Sequence, residues 1–154
     1  MKHTFWAGPY IMWAVIGIGV VINFVLLPHA FMYESSTTSF LLFALAFLYW
    51  VYFFTSAATK NLQAPHRPEH ITQIITTGTY HLVRHPMYSA DIVLMWGISV
   101  AYPLVALWAS ALWLTLVMVL WSYWEEQILL RRFGETYDTY KKKTPMFLPF
   151  KKHK

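Results

Sequence analysis

Four apolar runs, at about 10–27, 40–58, 88–101 and 104–124, constrain this chain more than any other feature. The first, second and fourth fall within the ~17–25 residues that a helix needs to cross the hydrocarbon of a bilayer. The third is shorter and carries Asp91 near its start. It is expected to pair with the fourth as a tight hairpin turning at Tyr102-Pro103. The expected fold is therefore an all-α integral membrane protein with about four transmembrane helices. The chain shows no repeat and no low-complexity linker, so residues 1–154 are expected to form a single membrane-embedded domain.

Composition supports this class. Hydrophobic residues make up 57% of the chain and charged residues only 12%, against roughly 25% charged in soluble domains. So small a core cannot hide that much apolar surface, and the bilayer is the solvent that suits it. Trp and Tyr gather near the ends of the runs, as in interfacial belts. Cysteine is absent, which excludes disulfides and thiolate chemistry. The first run is too long for a cleaved signal, and no small-x-small site closes it.

Charge sets the orientation. All 12 Lys and Arg fall before the first run, between the second and third, or after the fourth. The loop 28–39 and the turn at Pro103 have none. The positive-inside rule then places both termini and the segment 60–87 in the cytoplasm. The formal charge of +5 is a topology signal, with attraction to anionic headgroups secondary. Nucleic acid is not an expected partner, because no basic and aromatic stripe sits on a soluble domain.

Two polar clusters are not needed to build a membrane bundle. The first is Gly78-Thr-Tyr-His-Leu-Val-Arg-His-Pro-Met-Tyr88. Gly78 is free to take positive φ, and Pro86 suits the first turn of the third helix. Tyr88 and Asp91 then share one helical face, and free amides after Pro86 make an anion site. The second is Glu125-Glu126 at the end of the fourth run. Adjacent carboxylates on a basic side suit a cation such as a sulfonium, and one of them is a candidate to pair with Arg84. Beyond them Leu129, Phe133, Tyr137 and Tyr140 mark one face of an amphipathic helix, with Gly134 a candidate bend. The run 141–143 reads as a solvated, lipid-facing surface. His66/His70 and His81/His85 have the spacing of metal-ligand pairs. Pro68 and Pro86 spoil their helical presentation and no carboxylate completes either pair, so no metal site is expected.

The first cluster resembles the G-x-Y-x-x-x-R-H-P-x-Y signature of isoprenylcysteine carboxyl methyltransferases, through Gly78, Tyr80, Arg84, His85, Pro86 and Tyr88. Glu125-Glu126, then Phe133-Gly134 with Tyr137 and Tyr140, then Leu148-Pro149-Phe150, are similar to that family's C-terminal signature in the same order. The likeness covers about 71–150. The pattern is also similar to phospholipid N-methyltransferases. The resemblance implies a membrane enzyme that uses S-adenosylmethionine, held in a cytoplasmic pocket formed by the loop, the hairpin and the tail. It implies cofactor contacts at Thr72, Gln73, Ile74, Ile75, Tyr80, His85, Pro86, Met87, Tyr88 and Glu125, and catalytic roles for Arg84 and Glu126. The acceptor is expected to be a membrane-partitioned, lipid-like molecule, a prenylcysteine-type carboxylate first and a phospholipid amine as the alternative. A non-catalytic membrane module is the reading of a different class.

Two positions depart from the family pattern. Trp121 stands where relatives carry an Arg thought to meet the substrate, leaving Arg84 as the candidate partner for a carboxylate. Ala90 stands where Gly is usual. A carboxylate acceptor needs no general base. An amine must be neutral to attack, and Glu126, His85 and Asp91 are the candidates to take its proton.

Overall fold

In the computed structural model, residues 9–60 and 72–150 are described, and they form six helices. These are α1 (Pro9–Leu26), α2 (Thr37–Lys60), α3 (Thr79–Leu82), α4 (Pro86–Ala101), α5 (Val105–Phe133) and α6 (Glu135–Lys143). Three of them, α1, α2 and α5, are long and apolar enough to cross a membrane. The fourth expected span, α4, has 16 residues. At 1.5 Å per residue it reaches about 24 Å, short of a ~30 Å hydrocarbon core. It lies between α2 and α5 as the bundle's inner helix.

Local chemistry sets the ends. Ser36 and Ser39 bond reciprocally at the start of α2, each hydroxyl accepting the other residue's backbone N–H, which satisfies amides the helix leaves unpaired. Pro86 opens α4. The turn at Tyr102-Pro103 forms as expected. It is tied to the 27–36 loop by Met32 N–H to the Pro103 carbonyl (2.8 Å) and Val105 N–H to the Ala30 carbonyl (3.1 Å).

The helices pack in the order α2, α4, α5, α1. Gly97 lets α4 approach α2 so closely that a Cβ there would stand 2.5 Å from Ala46 Cβ. Gly19 does the same for α1 against Trp113, whose indole N–H donates to the Val15 carbonyl at 3.2 Å. Of α1, Met12 and Ile16 are buried, against Leu114, Val117 and Met118 of α5. The other faces of α1 and α2 expose Val, Leu, Ile and Phe, as helices bathed in lipid do.

Two expectations about the tail change. The fourth run ends at Trp124 in the sequence pattern, but α5 continues to Phe133, about 43 Å in all. The stripe from Leu129 to Tyr140 is not one amphipathic helix. Gly134, at φ 55, ends α5 and starts α6, a backbone state that L side chains rarely adopt. The break turns α6 back toward α3 and the residues that precede α4, burying Tyr137.

Candidate functional site

The site lies where the α3–α4 connection, the far end of α5, α6 and the segment 144–150 meet. Gly78, at φ 65, starts the single turn of α3. Val83 is extended, so the chain reaches α4 with Arg84 and His85 directed inward. The segment after α6 runs alongside as a strap. Arg84 N–H donates to the Pro145 carbonyl (2.9 Å) and His85 N–H to the Met146 carbonyl (3.1 Å). Ser89 Oγ donates to the Phe147 carbonyl (2.5 Å) and meets the Tyr49 hydroxyl (2.8 Å).

Glu126 is fully buried and lies at the centre of an ionic cluster. Its Oε1 accepts from Arg84 Nε at 2.7 Å and lies 3.2 Å from His85 Nε2. Its Oε2 is 2.8 Å from Lys141 Nζ. Arg84 Nη1 donates to the carbonyls of Lys141 (3.0 Å) and Thr144. Removing one member of such a set leaves an uncompensated buried charge, at about 3–5 kcal/mol. Lys141 was expected on a solvated surface. It is half-buried and paired with Glu126, because the turn at Gly134 points it inward. Its neighbours Lys142 and Lys143 are exposed, and Lys142 pairs with Asp138 at 2.6 Å.

Glu125 points elsewhere. Its Oε2 accepts from the Tyr88 hydroxyl at 3.4 Å and lies 4.0 Å from His85 Nδ1. The His85 and Tyr88 rings stack at 5.6 Å and 5°, and Phe147 tilts against His85 at 5.9 Å. His85 thus stands between two carboxylates with an aromatic ring on either side.

The other predicted contacts are spread wider. Pro86 is buried at the start of α4 and Met87 is half-buried beside it. The Tyr80 carbonyl accepts from the Tyr140 hydroxyl at 2.6 Å. Thr72 and Gln73 are exposed, and Ile74 and Ile75 half-buried, in the non-helical approach to Gly78. His66 and His70 lie outside the described residues. His81 is exposed on α3, whereas His85 is buried.

Burial pushes the Tyr137 phenol well above the ordinary tyrosine range, and the Glu126 carboxylate adds to the shift. Tyr140 is raised too, again by burial first and then by Tyr80. Both phenols therefore stay neutral and work as packing and hydrogen-bonding groups.

An apolar groove of about 320 Å³ runs along α5, between Val15 and the side chains of Trp113, Val117, Leu120, Trp121 and Trp124. It ends next to Glu125 in the chain. Trp121 and Trp124 meet edge to face at 5.0 Å.

Sequence reasoning missed Lys141, the strap carbonyls and the Tyr49–Ser89 link. Lys141 directly follows Tyr140 of the C-terminal signature, and a basic run gives no sign that its first member turns inward.

The family model described as phospholipid methyltransferase matches residues 39–136. Among curated proteins, the chain is similar to the nickel-cobalt-cadmium resistance protein NccN of Alcaligenes xylosoxydans xylosoxydans, with 36% identity over 81 residues. That match covers 51% of this chain and 37% of the relative, so the chain spans well under half of that protein's length. No solved structure matches the chain.

Proposed function

The chain belongs to the phospholipid methyltransferase family, and from that footing we propose that it moves a methyl group from S-adenosylmethionine to a membrane-partitioned, lipid-like amine. The observation that carries this reading is the divergence of two neighbouring carboxylates. Glu126 is neutralised inside the ionic cluster, while Glu125 faces Tyr88 and His85.

The residues present fit the cofactor. When bound, S-adenosylmethionine supplies a methyl group activated by a positive sulfur. The Glu125 carboxylate is the group that would face that charge, in a site dry enough to make the interaction count. Backbone amides after Pro86, at the start of α4, would receive its carboxylate. Tyr88 holds Glu125 by a hydrogen bond, and His85 fixes the Tyr88 ring by stacking. Alignment of reactants by such a frame is worth ~7–11 kcal/mol.

Arg84 and Glu126 act in this proposal as positioning residues. Each Arg84 bond goes to Glu126 or to a tail carbonyl, which binds α5, α6 and the loop into one unit. The preference for a prenylcysteine carboxylate depended on Arg84 as its partner, and that guanidinium is already committed. The groups around Glu125 are acidic and aromatic instead. Trp121 and Trp124 suit a cationic headgroup, since indole faces attract cations by ~0.5–2 kcal/mol. The apolar groove beside them suits an alkyl chain. By this reading the positively charged faces, the α3–α4 connection and α6 are cytoplasmic.

The test is labelled methyl transfer by purified protein to phosphatidylethanolamine and to a prenylcysteine analogue in parallel. A base-stable methylamine supports the proposal; a base-labile methyl ester returns the acceptor to the carboxylate class. Tight S-adenosylhomocysteine binding with no labelled product would point to a non-catalytic module.

A further inference from the structure

One ionisable group near the site, Asp91, takes no part in the ionic cluster. Asp91 lies in the second turn of α4, about 7–8 Å along the helix from Pro86. A carboxylate there is costly without a partner or a task. Among the described residues its one hydrogen-bond donor is the Trp50 indole N–H, at 2.9 Å to Oδ1. That bond is neutral and single. It fixes the carboxylate's direction without balancing its charge. Trp50 is itself held in a row of rings with Phe47 (6.0 Å) and Phe54 (5.2 Å).

Helical geometry defines the side on which Asp91 stands. Tyr88 meets Glu125 of α5, Ser89 meets Tyr49 of α2 and the strap, and Ala90 packs with Phe53 of α2. Asp91 occupies the remaining edge, between its Trp50 contact and the face that carries Tyr88, Ile92 and Met95 against the α1–α5 core. Among the described residues α1 and α2 do not pack on each other. The edge of α4 that bears Asp91 is therefore not closed over by a contact between those two helices. Asp91 is half-buried there, and Tyr88 is within electrostatic range of both Asp91 and Glu125.

The other candidates for proton transfer are engaged. Glu126 is buried among Arg84, His85 and Lys141. His85 stands between two carboxylates and two rings. Glu125 holds Tyr88 and, by the reading above, faces the sulfonium.

We propose that Asp91 is the base for the acceptor: a lipid amine reaches this edge of α4, sets its ammonium against the Asp91 carboxylate, and gives it a proton. One N–H bond of the ammonium breaks, and its electron pair stays on nitrogen as the lone pair needed for attack. The proton bonds to a carboxylate oxygen of Asp91 and returns to interfacial water when the product leaves. This inference rests on the amine reading of the preceding section.

The test uses the full chain in mixed micelles with phosphatidylethanolamine. Asp91→Asn keeps an oxygen for the Trp50 N–H and removes the base. Expected is a fall in kcat at pH 7 of ~10²–10⁴-fold, the usual worth of a general base, with S-adenosylhomocysteine affinity unchanged by calorimetry. The deficit should shrink as pH rises, because the amine then loses its proton to solvent. Asp91→Glu should keep most of the rate. Trp50 from α2 and Tyr88 on α4 are the groups that act on or respond to Asp91, with Glu125 from α5 and Tyr80 beyond Tyr88; they are the same in all three proteins. An Asp91→Asn protein with the parent's rate and pH profile overturns the proposal. So does a loss that is equal at every pH and accompanied by weaker cofactor binding, which would make Asp91 a helix staple only. If the unmodified protein forms no methylamine at any pH, the amine reading itself fails and takes this role with it.

Discussion

Glu125 and Glu126 are adjacent in the chain and face different surroundings: Glu126 lies at the centre of a buried cluster with Arg84, His85 and Lys141, and Glu125 receives the Tyr88 hydroxyl. Successive residues on a helix are about 100° apart. That angle sends one carboxylate to the tail and the other to the side of α5 that adjoins α4. By the proposed reading the pair divides into a structural member and a chemical member, and the two should fail differently.

Glu126→Ala should destabilise the protein by about 3–5 kcal/mol, as expected when a buried charge loses its partner. Thermal unfolding in detergent measures this. Replacing Arg84 and Glu126 together with Met and Leu should cost less than the sum of the single changes. Lys142→Ala, at an exposed ion pair, should leave the midpoint unchanged. Equal effects of Lys141→Ala and Lys142→Ala would refute the cluster's role.

Glu125→Gln should leave the fold intact and weaken S-adenosylmethionine binding about tenfold or more, the loss of one charge-assisted contact at ~1.5–3 kcal/mol, with a smaller loss for S-adenosylhomocysteine, whose sulfur carries no charge. Calorimetry reads it directly. Tyr88→Phe should follow in the same direction with a smaller effect. Glu135→Gln, on the exposed start of α6, is the control and should bind as the parent does.

Gly97→Ala should destabilise the bundle by about 1–3 kcal/mol, the usual cost of overpacking, because the new Cβ meets Ala46 at 2.5 Å. Ala46→Gly in the same chain should restore much of the loss. Failure of that rescue would mean the helices are not limited by this contact.

Tail docking should weaken in alkali. The Tyr137 phenol is raised above its ordinary value of 10.0 by burial. The docked state keeps its proton where the undocked state loses it. The stabilisation is therefore complete below pH ~10 and declines as pH rises above it. Protease sensitivity of α6 between pH 9 and 11 follows this, and Tyr137→Phe should flatten the part due to the phenol.

Single cysteines at Ser36 and Lys142 should label from opposite sides of the membrane, since every Lys and Arg of the chain falls in segments that four spans place on one side. Labelling of both from the same side would refute the assigned orientation.

Much of this fold was legible because lipid-facing helices need no periodicity, only length and apolar content. The runs 10–27, 40–58 and 104–124 announced α1, α2 and most of α5. Arg84, His85, Tyr88 and the two glutamates were legible as a group because charge and ring-bearing residues beside a span have few inexpensive explanations. The rest depended on contacts distant in sequence. Nothing local in 141–143 distinguishes Lys141, which turns inward because Gly134 redirects the chain. Nothing in 144–150 announces a strap, since it bonds through backbone carbonyls that every sequence carries. Continuation of α5 to Phe133 was hidden by the polar residues that follow Trp124; they suggest a helix end, and α5 runs on through them.

The strap also ties assembly to the end of the chain. Glu126 takes its lysine from α6, and Arg84 takes its carbonyl partners from Lys141 and Thr144. Every one of these partners lies after the last long helix in sequence. A chain cut before Lys141 would keep α1, α2, α4 and α5 and lack the groups that balance Glu126, so the ionic cluster closes only when the C-terminal segment folds back onto the bundle.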